Sequence, residues 1–289
     1  MNTGPIFIAA LLAVSARAET DPWRAEADRL SRRKEEIIET LRHDFKREAL
    51  IAVKSRKRNK LSLRVYRLER SKARLLFLEP GFGKEIEFAS IHERGEIPDL
   101  AGDGSRIIAY RTEHASLKQK TLVLLRYADG ALTRLKDVPE GEFISLGGGI
   151  SVVETSRPLG RFFNVTCEET FRSPAESAHR TRIYGWEKGK LTTTSLRHKK
   201  YLLRKITEIE SRVSGVNIRD TERYADYLGD ALSIFFLYEE MGEKQKGWSR
   251  FLELFPLRRS DPLVVKKCFE KLRSELQEAL DVGPDERAP

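Results

Sequence analysis

Three hairpin-like stretches recur at a regular interval along this 289-residue chain, and they constrain the fold more than any other feature. They begin at Leu63, Leu122 and Thr181, so successive starts are 59 residues apart. Each stretch has an apolar strand that ends in an aromatic residue, a polar turn and a second strand. The interval leaves room for about two more strands, so the sequence predicts a four-stranded antiparallel unit that recurs about two and a half times.

The residues between 49 and 197 are predicted to form a β-repeat domain. Short runs rich in Val, Ile, Leu, Tyr, Phe and Thr alternate there with Gly, Asp and Asn, which is typical of strands and turns. Asp129-Gly130 predicts a two-residue hairpin turn, and Lys188-Gly189 predicts a slightly longer one. We therefore predict an α+β protein with a propeller-like antiparallel β domain that is incomplete and flanked by helices.

Helical periodicity lies on both sides of this β domain. The apolar residues of 19–48 step by three, four or seven positions, and Asp21-Pro22 is a favourable helix start, so we predict one N-terminal helix there. Residues 198–281 show the same periodicity and predict a helical domain whose last helix begins at Asp261-Pro262. Residues 282–289 are predicted to be a disordered tail.

Phe82-Gly83 opens one segment of the β domain, the turn Asp99–Gly104 follows, and a later strand ends at Tyr127. With these features residues 60–195 resemble an integrin-type FG-GAP, or VCBS, repeat. The resemblance implies a propeller-like β domain that serves as a scaffold or binding module and is rarely an enzyme.

Two predicted helices joined by a short turn carry a spaced set of four residues, Tyr238, Gly242, Gly247 and Phe251. The spacing is that of the aromatic, the turn glycine, the small crossing residue and the second aromatic of a tetratricopeptide repeat, so residues 220–280 resemble a tetratricopeptide hairpin. The early Trp-Leu-Gly signature is absent, and an ordinary helical hairpin packed on the β domain fits the same pattern. The resemblance implies protein–protein binding through a concave face, which needs about three such repeats.

The first 18 residues have the pattern of a secretory signal peptide. The apolar run from Ile6 to Val14 is too short for a membrane span, and Ala16-Arg17-Ala18 fits cleavage after Ala18. The segment before the run has no Lys or Arg, so a buried N-terminal segment is the alternative. We predict a periplasmic or secreted protein without a transmembrane segment.

The chain is basic, with 53 Lys and Arg against 44 Asp and Glu, a net charge of +9. This balance favours an anionic partner such as acidic glycan or a membrane surface. The other interpretation is a solvated basic surface that binds no particular ligand. The basic run Lys54–Lys60 has no interleaved aromatic residue to stack on bases, and export also argues against nucleic acid. Cys167 and Cys268 are predicted to be two buried free thiols, and a disulfide between them outside the cytosol is the alternative.

The stretch from Asp99 to Ser105 is the one candidate metal site. A calcium loop places oxygen ligands at alternate positions, and Asp99 and Asp103 occupy two of them, while Ala101 and Ile107 occupy two others. We therefore expect no bound cofactor, and calcium at Asp99 and Asp103 is the less favoured alternative. The other interpretation is a glycine-supported turn in which these carboxylates accept hydrogen bonds from backbone amides.

No residue pattern points to catalysis. Ser145–Ser151 is glycine-rich but precedes a strand, whereas a phosphate cradle needs a helix to follow. The five histidines show no metal-ligand spacing, and Glu168-Glu169 beside Cys167 would point to opposite faces of a strand. Asn164 begins a glycosylation sequon, which has meaning only in a eukaryotic secretory route.

Together these observations predict an exported, non-catalytic binding or scaffold protein of the cell envelope that acts through protein contacts. One alternative is a periplasmic enzyme, or its accessory subunit, whose site is assembled from scattered polar residues. The other is a cationic module that binds anionic glycan or a membrane surface.

Overall fold

The structure is a computed structural model of the chain, and it divides into two compact units, Met1–Pro80 and Gly81–Pro289. It describes residues 21–70, 72–81, 84–92, 94–114, 120–158, 178–213 and 224–254, with short pieces between 266 and 278. We call the two parts unit 1 and unit 2.

The described residues form twelve strands and four α-helices. The strands are β1 (Glu36–Asp44), β2 (Glu48–Lys57), β3 (Lys60–Glu69), β4 (Lys72–Gly81), β5 (Lys84–Phe88), β6 (Arg106–His114), β7 (Lys120–Ala128), β8 (Ala131–Pro139), β9 (Glu142–Leu146), β10 (Gly149–Ser156), β11 (Arg180–Glu187) and β12 (Lys190–Thr193). The helices are α1 (Pro22–Arg32), α2 (Lys199–Val213), α3 (Tyr224–Glu240) and α4 (Lys244–Leu254).

The strands form three sheets of four, and in each sheet neighbours along the chain are neighbours in space. The sheets are β1–β4, β5–β8 and β9–β12, so the α+β class and the four-stranded antiparallel unit are confirmed. The hairpins that begin near Leu63, Leu122 and Thr181 are the last two strands of the three sheets. The described chain therefore holds three units, where the sequence predicted about two and a half.

The first strand, β1, lies in the segment predicted to be helical. The predicted helix over 19–48 is wrong beyond Arg32, because β1 follows it and pairs with β2 from Glu36 to Asp44. Ile37, Leu41 and Phe45 are spaced by four residues, and four is a multiple of the strand's two-residue period as well as about one helical turn. The spacing therefore fitted both structures, and the pairing of Leu41 with Ala52 in the sheet decided between them.

Unit 1 packs α1 on one face of the first sheet. Trp23 of α1 lies 6.0 Å from Tyr66 of β3, measured between ring centroids. Both contact a cluster of buried side chains from β2 and β3 that includes Ile51 and Val53. Asp21 caps α1, since its carboxylate accepts a hydrogen bond from the backbone amide of Trp23 at 3.0 Å.

In unit 2, the third sheet lies between the second sheet and the helices. Val152 and Tyr184 pack with side chains of β6, β7 and β8, whereas Val153 and Ile183 pack with side chains of α2 and α3. Adjacent residues of a strand face opposite sides, so both faces of β10 and β11 are buried. The boundary predicted at residue 197 falls within this shared core, because the helices cover a face of the same sheet.

The helices α3 and α4 form a tightly packed hairpin. Gly242 follows α3 in a left-handed conformation at φ +74°, and the amide of Glu243 donates back to the carbonyl of Tyr238, which ends the helix. Gly247 and the fully buried Trp248 face α3. Within the part of the chain that the structure describes, no helix combines the length and hydrophobicity needed to cross a bilayer.

Several sequence-based predictions lie outside the described residues. They are the signal peptide 1–18, the Phe82-Gly83 start of the FG-GAP-like segment, the strand around Cys167, the sequon at Asn164, the pair Glu168-Glu169, the thiol of Cys268, most of the helix after Asp261 and the tail 282–289.

Candidate functional site

The stretch Asp99–Ser105 is a loop built on side-chain to backbone hydrogen bonds. The two carboxylate oxygens of Asp99 accept from the backbone amides of Gly102, at 2.7 Å, and Gly104, at 2.8 Å. Both glycines have positive φ, +68° and +84°, which the loop's reversal requires. The loop is thus the glycine-supported turn that the sequence offered as the alternative to a calcium site.

Asp103 connects this loop to β7. One carboxylate oxygen accepts from both the amide and the hydroxyl of Ser105, at 3.0 and 2.5 Å, and the other accepts from the Arg126 guanidinium at 2.7 Å. The hydrogen bonds from Ser105, and then the one from Arg126, hold the pKa of the Asp103 carboxyl below its ordinary value. The carboxylate therefore stays ionised, but its lone pairs already have donors.

A glycine of the third sheet lies against the same carboxylate. A Cβ added to Gly189, in the β11–β12 turn, would lie 2.3 Å from Oδ2 of Asp103 and would displace that carboxylate, and the φ of +74° also favours glycine there. The described residues contain no group of three or more His, Cys, Asp or Glu side chains that could hold a metal ion. Asp99 and Asp103 have a structural role in the loop, and calcium binding at these residues stays a prediction.

The other sequence-based candidates also have structural roles. Gly147 and Gly148, both at positive φ, form the turn between β9 and β10, as expected for a hairpin. His92 is buried, and its Nε2 accepts from the amide of Ala109 at 2.9 Å while Nδ1 lies 2.8 Å from the carbonyl oxygen of Glu96. This arrangement fixes a neutral imidazole that links the β5–β6 connection to β6.

Charge is distributed very unequally between the two units. Met1–Pro80 contains 19 basic and 11 acidic residues, a net charge of +8, whereas Gly81–Pro289 contains 34 basic and 33 acidic residues, a net charge of +1. Unit 1 thus accounts for nearly the whole excess charge of the chain in little more than a quarter of its length.

Seven of the basic residues of unit 1 lie at one end of the first sheet. The end of α1 leads directly into Glu36 of β1, which pairs with Arg56 of β2. The next residue of β2, Lys57, pairs with Lys60 of β3 at the turn between these two strands. Paired residues of neighbouring strands lie about 5 Å apart, so these segments are adjacent. We call this surface the basic end; all its members are exposed. Its members are Arg32, Arg33, Lys34, Arg56, Lys57, Arg58 and Lys60.

Few acidic side chains offset this charge. Of the two nearest acids, Glu36 is exposed, and Glu35 is buried and accepts from Arg64 at 2.7 Å. Within the described residues, the six members of the basic end other than Lys60 form no ion pair with a carboxylate. At the opposite end of the same sheet, by contrast, Arg42 and Arg67 each contact two carboxylates.

Two members of the basic end adopt the left-handed conformation that favours glycine or asparagine. Lys34 has φ +59° at the position after the cap of α1, and Arg58 has φ +55° in the β2–β3 turn. The amides of Lys34 and Glu35 donate to the carbonyls of Ser31 and Leu30, which is the Schellman arrangement in which glycine normally occupies the position of Lys34. A cation at each position costs about 1 kcal/mol of backbone free energy.

The sequence-based prediction identified the run Lys54–Lys60 as basic but not the surface to which it belongs. Arg32, Arg33 and Lys34 were assigned to the interior of a long helix, where their proximity to Arg56 could not be foreseen. A count of charge by segment would have given a signal, because residues 51–80 contain ten basic and two acidic side chains.

No protein-family model, curated protein sequence or solved structure matches this chain. The function is therefore argued from the chain's own residues.

Proposed function

We propose that this protein is an exported, non-catalytic binding protein of the cell envelope whose unit 1 binds an anionic partner. The observation that carries the proposal is the segregation of charge, +8 on Met1–Pro80 against +1 on Gly81–Pro289. A surface with one dominant sign raises the local concentration of ligands of the opposite sign and speeds their association.

The distribution of ion-paired and unpaired basic side chains within unit 1 supports the same function. Arg42 and Arg67 form ion pairs that fasten α1 and neighbouring strands, so these cations stabilise the fold. Six members of the basic end, all except Lys60, form no ion pair with a carboxylate among the described residues, and exposed like charges repel one another and destabilise the compact state. An anionic ligand removes that repulsion on binding, which contributes to its affinity.

The three sheets serve, in this proposal, as a propeller-like scaffold that holds the binding surface rigidly. Each sheet is a four-stranded meander, which is the unit from which propeller blades are built. Protein–protein contact, which the tetratricopeptide-like pattern implies for α3 and α4, stays a prediction for unit 2.

Binding of the purified full chain to dextran sulfate, duplex DNA and anionic vesicles tests the proposal. Dextran and vesicles of phosphatidylcholine alone are the matched uncharged ligands. We expect binding to at least one polyanion, no binding to its uncharged counterpart, and a steep loss of affinity as salt rises. An absence of binding to all three polyanions at low salt would refute an anionic partner, and so would affinity that does not change with salt.

A further inference from the structure

We propose that the basic end docks on the surface of an anionic phospholipid bilayer, with the phosphate groups as its ligands. The inference rests on the proposed function and deepens it, because it names the surface of unit 1 that binds and the class of partner. Three properties of the basic end carry it: its position on the fold, the chemistry of its side chains, and the local backbone conformation.

The basic end lies where three chain segments reverse direction or terminate. The helix α1 ends at Arg32, β1 begins at Glu36, and the β2–β3 turn closes between Lys57 and Lys60. The residues at the end of this helix and in this hairpin turn, at one end of the sheet, are exposed. A planar bilayer can contact such an end from outside, whereas small-molecule ligands are typically enclosed in concave sites.

The side chains suit phosphate. Four of the seven members are arginines, whose planar guanidinium groups donate two parallel hydrogen bonds to a phosphate, and three are lysines, which act as point charges. The segments that form the basic end, residues 32–36 and 56–60, contain no aromatic residue to serve as a stacking platform for nucleic-acid bases. Ile38 is 38% exposed at the bulge in β1, only a few residues from the basic end, and it adds an apolar contact beside the charges.

The backbone conformation at two positions of the basic end makes the presence of a cation there notable. Lys34 and Arg58 hold left-handed conformations in which glycine or asparagine would be more stable. Residues in such conformations cluster at functional sites, because the rest of the structure compensates for them. At both positions the residue present is a cation. Its side chain supplies charge to the basic end and forms no hydrogen bond with the described residues.

Because Lys34 and Arg58 hold conformations that favour other residues, their replacement can remove charge without destabilising the fold. The triple change Lys34→Gly, Lys57→Gln and Arg58→Asn removes three charges and places residues that tolerate the left-handed conformation at two of the three positions. We expect a melting temperature no lower than that of the wild type. The matched control is Lys46→Gln, Arg47→Gln and Arg70→Gln, which removes three exposed cations from the opposite end of the same sheet.

The assay is co-sedimentation of each full-length variant with vesicles of equal parts phosphatidylglycerol and phosphatidylcholine. Each basic residue near an anionic surface contributes a factor of about five to binding, so the triple variant should bind about 100-fold more weakly than the wild type. The control loses the same net charge away from the docking surface, so its affinity should fall by about tenfold at most. Dextran sulfate and duplex DNA are measured at the same salt concentration.

Each outcome decides one point. Weakened vesicle binding in the triple variant, with the control close to wild type, supports the assignment. Equal loss in both variants overturns the basic end as the site, although the anionic partner stands. Tighter binding of wild type to dextran sulfate or DNA than to vesicles overturns the bilayer as partner and leaves the proposed function intact. If the wild type binds neither the anionic vesicles, nor dextran sulfate, nor duplex DNA, both the bilayer docking and the proposed function are refuted.

Discussion

Replacement of Gly247 by alanine tests the packing of α3 against α4. An added Cβ would lie 2.7 Å from Cβ of Tyr238, 2.9 Å from the carbonyl oxygen of Phe235 and 3.4 Å from its Cα. Carbon atoms in contact lie about 3.5–4.0 Å apart, and these neighbours are backbone or Cβ atoms that no rotamer change can move. The two helices would therefore have to separate.

Two opposing effects determine the magnitude. Alanine is a better helix former than glycine by about 1 kcal/mol, which favours the variant. Inserting a methyl group into a closely packed core costs about 1–3 kcal/mol, and the short distances at Gly247 place it near the upper value. We expect the free energy of unfolding to fall by about 2 kcal/mol.

Urea unfolding followed by tryptophan fluorescence measures this change. Trp248 is fully buried and lies 5.3 Å from Phe251 and 6.0 Å from Phe235 between ring centroids, so helix separation alters its environment. The matched control is Gln245→Ala, an exposed position in the same helix, for which we expect a change under about 0.5 kcal/mol. A Gly247→Ala protein as stable as the wild type, or more stable, would refute the close approach of the two helices.

Two further predictions concern buried polar groups. Arg64→Ala should destabilise unit 1 by about 3 kcal/mol in urea unfolding, because it leaves the Glu35 carboxylate buried without its cation, and the double variant Glu35→Leu, Arg64→Met should lose less. Burial, and then the 2.5 Å hydrogen bond to Glu154, raises the pKa of Tyr184 to about 12, above its unfolded value of about 10. Its stabilising contribution is therefore complete below pH 10 and lost as pH rises to 12, so Tyr184→Phe should flatten the decline of stability over that window; an unchanged slope would contradict this.

Local patterns predicted the strands and turns well because their causes are local. The turn at Asp129-Gly130 has φ of +51° and +76°, the left-handed pair that a two-residue hairpin needs, and this dipeptide is among the few that adopt it readily. The 59-residue interval between successive hairpins likewise corresponds to the length of one four-stranded meander. Neither feature depends on what the sheet packs against.

The long N-terminal helix was predicted incorrectly because its evidence was ambiguous. The apolar residues after Arg33 are four positions apart, a spacing compatible with a helix turn and with one face of a strand. Only the pairing of β1 with β2, which buries Leu41, favours the strand. Because of the same error the basic end was not predicted. Arg32, Arg33 and Lys34 were placed inside a long helix, whereas they lie where α1 ends.

The sequence by itself determined the net charge, which is a sum over residues. It also determined the recurring hairpins and the hydrogen-bonded turn at Asp99, since each of these depends on residues close together in the chain. The tertiary structure alone decided which distant residues meet: Glu36 with Arg56, Asp103 with Gly189, and Gly247 with Phe235. The physical reason is that charge and turn preference are properties of short segments, whereas a surface or a close contact depends on strand register and helix packing.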